Sequence, residues 1–166
     1  MPLFAKGIKP ARLQDKAFSQ TILDALEKAG KTIKDEDYGA ITKTWKHKPK
    51  IEVVVDLAGP GPTLLVGTDD EIYGYVDEGT RAHVIVPRRA KVLKFKSGYV
   101  AKTAPGVIGS TSGGPTGGDV YSAGVIHPGT KAREFEKTIK EKRESWFKKQ
   151  MEAAMREAAK KSGYGG

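Results

Sequence analysis

The hydrophobic period changes twice along this chain, and that change restricts it to folds mixing helices with strands. Apolar residues fall at Leu13, Phe18, Ile22, Leu26, Ala29 and Ile33, near the helical period, and Tyr38, Ile41 and Trp45 continue at helical spacing. This predicts one long, interrupted helix from about Ala11 to Trp45. Gly30 and Gly39 each weaken a helix by about 1 kcal/mol relative to alanine, which allows a bend or break. Lys48-Pro49-Lys50 ends it, because a residue before proline avoids the helical region. From Ile51 the texture alternates: Ile51, Val53, Val55 and Leu57 are interleaved with Glu52, Val54 and Asp56, as in a half-buried strand. The helical period returns near Ala132 and lasts to Lys161. Phe135, Ile139 and Trp146 form one stripe there, and Phe147, Met151, Ala154 and Ala158 an overlapping one.

The middle reads as several short strands joined by turns. After the Gly59-Pro60-Gly61-Pro62 turn, strands are expected at Thr63–Gly67, Ile72–Asp77, His83–Val86, Lys91–Phe95 and Asp119–Ile126. Residues 104–118 hold six glycines and two prolines and read as a long flexible loop. His127-Pro128-Gly129-Thr130 is a turn, with Thr130 a reasonable cap for the last helix. Residues 162–166 are expected to fray. The expected fold is α+β: a mostly antiparallel sheet of about five or six strands packed against a long N-terminal and a long C-terminal helix, in a single domain spanning 1–166.

Composition excludes several classes of function. A chain of 166 residues can bury a real core without crosslinks, and with no cysteine it has no disulfide framework, thiol nucleophile or cysteine-ligated zinc site. No apolar run approaches the roughly 20 residues of a membrane span, and Met1 to Lys6 holds no long apolar segment, so neither a membrane span nor a signal peptide is expected. The net charge of +9 sits at the two ends. Residues 1–50 and 123–166 each carry 11 basic and 6 acidic side chains, while residues 51–122 are nearly neutral with 7 and 8. Such a balance attracts nucleic acid or an acidic protein surface, or is simply a solvated helical face. Glu136–Lys140, Glu144–Lys148, Glu152–Arg156 and Glu157–Lys161 are i,i+4 pairs of that solvated kind.

Motifs for chemistry are sparse. Asp69-Asp70-Glu71, with Asp77 and Glu78 nearby, lacks the spacing of a calcium loop, and Asp69-Asp70 reads as a turn and helix-start signal. His47, His83 and His127 form no HxxxH or HxxH, although His83 and His127 are placed to meet across a sheet. A metal-dependent hydrolase built on Asp69, Asp70, His83 and His127 is the enzymatic alternative. The glycine-rich loop lacks the Gly-Lys-Ser/Thr ending of a phosphate-binding loop and leads into Asp119. The expectation is a protein that is not an enzyme, with no cofactor and no metal. Arg88, Arg89, Lys91, Lys94 and Lys96 cluster around one expected hairpin, with Lys94 and Lys96 on one strand face. They are candidate contacts for DNA phosphates or for a partner, or lysines that guard an exposed strand edge.

Three stretches, taken in order, carry a resemblance. They are Val66 to Thr80 (VGTDDEIYGYVDEGT), His83-Val-Ile-Val-Pro87 with Leu93-Lys-Phe95, and Val125 to Arg133 (VIHPGTKAR). Together with Thr44-Trp-Lys-His-Lys-Pro49, they make the chain similar, over roughly residues 15–160, to the neck or tail-completion proteins of long-tailed double-stranded DNA phages and prophages, also labelled minor tail or head–tail joining proteins. That family pattern is an N-terminal helix, a strand ending in Val/Phe-Glu-x-Gly-Thr, a hairpin, a His-Pro-Gly-Thr turn and a C-terminal helix. The chain departs from it at Glu134-Phe135-Glu136, where many relatives have Pro-Phe-Leu. The resemblance implies a virion component at the neck, assembled in the host cytoplasm. It would be a ring subunit, most often six-fold, between the head-side connector and the tail tube or tail terminator, with DNA passing through and contacted nonspecifically. It carries no catalytic residues. Glu78, Gly79, Thr80, His127, Pro128, Gly129 and Thr130 would then be structural turn residues. The rival from another class is a nonspecific nucleic-acid-binding protein.

Overall fold

The computed structural model describes residues 16–109 and 113–163. The expected helix start near Ala11, the centre of the glycine-rich loop and the last three tail residues lie outside them. Among the described residues the chain is α+β, with short strands, and it divides into two compact units.

The first unit draws on residues 16–33, 53–66 and 142–163. Its N-terminal helix α1 spans Lys16–Thr32, and strands β1 (Glu52–Asp56) and β2 (Thr63–Gly67) pair with each other as a two-stranded sheet. Leu26, Ala29 and Gly30 are buried on α1. Gly30 explains its own presence. A Cβ there would lie 2.3 Å from Val53 Cγ1 and 2.9 Å from Leu64 Cδ1, so the missing methyl lets the helix approach the strands. That approach offsets the intrinsic cost of glycine in a helix. The C-terminal helix α4 (Phe135–Lys161) contributes its later turns to this unit, with Ala154 and Ala158 buried as the apolar stripe predicts. Between α1 and α4 lies a groove of about 290 Å³ floored by Ala25, Ala29, Ala153 and Ala154, with Trp146 on its wall. Ser162 N–H still bonds Ala158 C=O at 3.0 Å, and Gly163 follows at φ +77°, the left-handed conformation that closes many helices.

The second unit draws on residues 34–52, 67–109 and 113–141. The N-terminal helical stretch does not run on as one long helix. After α1 it passes through a π-helical turn at Ile33–Tyr38 and a short helix α2 (Gly39–Thr42). The cause is readable in the stripe itself. Ile33 and Tyr38, both buried, are five residues apart, one more than an α-turn holds, and a wider turn absorbs the extra residue.

Ile72–Asp77, expected as a strand, is helical: α3 spans Glu71–Asp77. Asp70 starts it, accepting the Tyr73 N–H at 2.9 Å. In the helix Tyr73 is buried, while Ile72 and Tyr75 are exposed. Alternation over six residues cannot distinguish that outcome from a strand. Asp119–Ile126 is not one strand but two, β5 (Asp119–Ser122) and β6 (Val125–His127), separated at Ala123-Gly124, where the Ser122 hydroxyl bonds the Gly124 backbone. Strands β3 (His83–Ile85) and β4 (Leu93–Lys96) do not form a hairpin with each other. β3 pairs antiparallel with β6, and β4 pairs antiparallel with β5. The described strands thus make three two-stranded sheets in place of one sheet of five or six. Ser97 bonds Gly117 and Gly118, and the Val100 N–H bonds the Gly114 carbonyl, which extends the β4–β5 ladder.

The core of this unit is aromatic. Tyr73 stacks in tilted geometry at 5.8–6.0 Å from Tyr38, Trp45 and Phe135, and Trp45 lies 6.3 Å from Phe135. Such pairs add about 0.5–1.5 kcal/mol each beyond their burial. Trp45 is further held by its own segment. Lys48 Nζ donates to the carbonyls of Thr42 and Lys43 at the end of α2, and His47 bonds Asp70 at 2.5 Å.

Candidate functional site

Two of the motif segments meet in the second unit and form one joint. Glu78 closes α3, its N–H bonding Gly74 C=O at 2.9 Å, and Gly79 turns the chain at φ +80°. Thr80 then exchanges backbone bonds with Thr130, 2.9 Å one way and 3.1 Å the other, and its hydroxyl also accepts the Thr130 N–H at 3.0 Å. This bridge keeps the register of β3 and β6, in which His83 lies opposite His127. On the facing side His127-Pro128-Gly129-Thr130, expected as a turn, makes neither a turn nor a bend: Pro128 and Gly129, the latter at φ +92°, continue the register opposite Ala82 and Arg81. Neither glycine has room for a methyl. A Cβ on Gly79 would sit 2.5 Å from Thr130 O, and one on Gly129 would sit 2.2 Å from Thr80 O.

Thr130, expected to cap the last helix, is occupied in this bridge. The cap comes from α3 instead. The Asp77 carboxylate accepts the Phe135 N–H, and the Asp77 carbonyl accepts from Arg133 and Glu134. An acid at this position also answers the positive end of the helix. α4 therefore begins at Phe135, three residues later than the apolar pattern suggests, after Glu134 at φ 55°.

Charge concentrates around this joint. Burial first, then Asp77 and Glu78, pushes the Glu136 carboxyl above the usual carboxylate range. Burial, then Glu136, Asp77 and Asp37, pushes the Tyr38 phenol up to about 12, and Tyr73 shifts the same way, mainly through burial. A raised carboxyl favours the folded chain below the ordinary carboxylate range, and that contribution is lost as pH rises through the raised value. Glu136→Gln is therefore expected to raise the thermal midpoint at pH 7 and to leave it unchanged near pH 3. Calorimetry at the two values checks the sign. Asp70 moves oppositely: its bond to His47, then the Tyr73 N–H, holds it below the usual range. Asp70→Ala removes the α3 cap and is expected to cost about 1 kcal/mol, read by urea denaturation.

The five basic candidates separate into two groups. Lys94 and Lys96 share a strand face, as their spacing predicts, and both are engaged there by Asp119 at 3.2 and 2.9 Å. Lys94 also lies 5.6 Å from the Tyr121 ring centre. Arg88, Arg89 and Lys91 are exposed in the segment between β3 and β4 and make no ion pair among the described residues. The Asp119 partnership was not legible in advance, because it depends on which strand β4 pairs with.

The hydrolase constellation is divided. Asp70 is engaged by His47 and the α3 backbone, and no group of three or more potential ligands gathers for a metal among the described residues. His83 and His127 do meet, with ring centres 5.0 Å apart. Gly129 N–H donates to His127 Nδ1 at 3.1 Å, so the neutral ring carries its proton on Nε2 and offers no outward lone pair to a metal. Among the described residues no helix is long and apolar enough to cross a membrane. Comparison with protein-family models, curated proteins and solved structures gave no match.

Proposed function

We propose that this chain is a structural neck or tail-completion protein of a tailed double-stranded DNA phage or prophage, a subunit of a ring that joins the head connector to the tail. The observation that carries the reading is the apolar surface on its two-stranded sheets. Val84 and Ile126 are cross-strand partners, yet they are 66% and 78% exposed. Two strands alone are marginally stable in water, and apolar faces of this kind mark surfaces built for association. Free strand edges offer backbone groups for strand addition by a neighbouring copy. The motif stretches that carry the resemblance also interlock, through the Thr80–Thr130 bridge and through Trp45 against Tyr73. The reading assigns the chain no catalysis.

Within this reading Arg88, Arg89 and Lys91 are the members of the five-residue basic group left for passing DNA or a neighbour, since Lys94 and Lys96 are engaged by Asp119. That same exposed basic segment favours the second reading, nonspecific nucleic-acid binding. Electron microscopy of lysates after disruption of the gene in its phage or prophage tests the first reading. DNA-filled heads separate from finished tails are expected. Heads without any tails would move the protein into tail assembly, and intact infectious particles would overturn the joining role. Steeply salt-dependent binding of free DNA by the isolated protein would favour the second reading.

A further inference from the structure

The geometry points to the His83–His127 pair as an acid-sensitive latch on the joint between β3 and β6. The two imidazoles are held by their backbones in opposite senses. His83 Nδ1 lies 2.9 Å from the Arg81 carbonyl, which can only accept, so Nδ1 carries the proton and Nε2 is the vacant base. His127 Nδ1 accepts the Gly129 amide at 3.1 Å, so its lone pair is already engaged. A proton arriving at His83 leaves the bond to Arg81 intact and strengthens it. A proton arriving at His127 must take the lone pair that holds Gly129.

The rings are 5.0 Å apart, so two imidazolium ions would repel each other. β3 and β6 pair with each other, and the charged residues on their continuations are Arg81, which falls opposite Gly129 in the shared register, Lys131 and, next to Gly79, Glu78. No carboxylate is paired with either ring among the described residues. Charging both histidines therefore costs the His127–Gly129 bond and adds repulsion. It does so at the residue next to the Thr80–Thr130 bridge. A proton on His127 thus loosens the backbone at Gly129.

His127 Nδ1 reaches two residues ahead to the Gly129 amide, the bond that asparagine makes in an Asx turn. His127→Asn therefore keeps the bond and removes the titration. The test is amide hydrogen exchange by NMR on the full chain, expressed as the Gly129 protection factor at pH 7.5 and pH 5. The wild-type factor is expected to fall about tenfold, the scale of one net hydrogen bond, while His127→Asn stays flat. An unchanged wild-type factor, or an equal fall in the variant, overturns the latch. Nitrogen-15 shifts of the wild-type imidazoles give a second reading that requires no variant. His127 Nδ1 should be unprotonated at pH 7.5 and gain its proton over the range in which the Gly129 amide shifts. A proton on Nδ1 at pH 7.5 overturns the inference directly.

Discussion

Truncating Phe135 to alanine should cost about 3–5 kcal/mol, the largest loss expected of any single change in the second unit. The ring is completely buried, 6.0 Å from Tyr73 and 6.3 Å from Trp45, so its removal opens a cavity against two aromatic neighbours held by separate segments. Those neighbours cannot collapse into the space. Trp45 is tied through His47 and Lys48, and Tyr73 by the Asp70 cap. Phe135 is also the first residue of α4, whose amide the Asp77 side chain caps, so the cavity opens where α3 and α4 are joined. Urea denaturation followed by tryptophan fluorescence reads the effect, since Trp45 reports on this cluster. A loss below about 1 kcal/mol would mean that the four rings do not pack as one core. Tyr73→Phe makes the contrast. The Tyr73 hydroxyl is buried without a hydrogen-bond partner among the described residues, so removing it should be neutral or stabilising by up to about 1 kcal/mol.

Gly129→Ala ranks second, with an expected loss of about 2–4 kcal/mol. Two costs combine. An L-residue at φ +92° is strained by about 1–2 kcal/mol, and the new methyl would lie 2.2 Å from the Thr80 carbonyl oxygen. The oxygen cannot retreat without breaking the Thr80–Thr130 bridge, because it accepts the Thr130 amide. Gly118→Ala is the matched control. It sits outside the left-handed region with nothing within 4 Å of a built Cβ, and it should change stability by no more than about 0.5 kcal/mol. Equal thermal midpoints for the two variants would remove the joint from the architecture. In the assembly reading, Gly129→Ala should also reduce the yield of joined particles, whereas Gly118→Ala should not.

Much of this architecture was legible locally. Of the two stripes on α4, Phe135, Ile139, Ala154 and Ala158 are buried, whereas Trp146, Phe147 and Met151 are half-buried. Thr63–Gly67 is a strand over the residues that its composition suggested. The five-residue step from Ile33 to Tyr38 already contained the π turn, although the two glycines flanking it drew attention to a bend instead. Asp69-Asp70 carried the helix-start signal for α3, and the alternation in Ile72–Asp77 masked it. In a segment that short, the N-cap is the stronger evidence, because it satisfies a specific amide while alternation satisfies none.

What the sequence by itself determined is the period of each segment, the position of the turns and the residue types available at them. Those follow from backbone sterics and from which side chains avoid water, both properties of a few consecutive residues. The tertiary structure alone decided who pairs with whom. It set β3 against β6 and β4 against β5, brought Asp119 to both Lys94 and Lys96, and took Thr130 from the helix cap to the bridge with Thr80. Each of these outcomes depends on a partner tens of residues away, and no local window contains the energy of that contact.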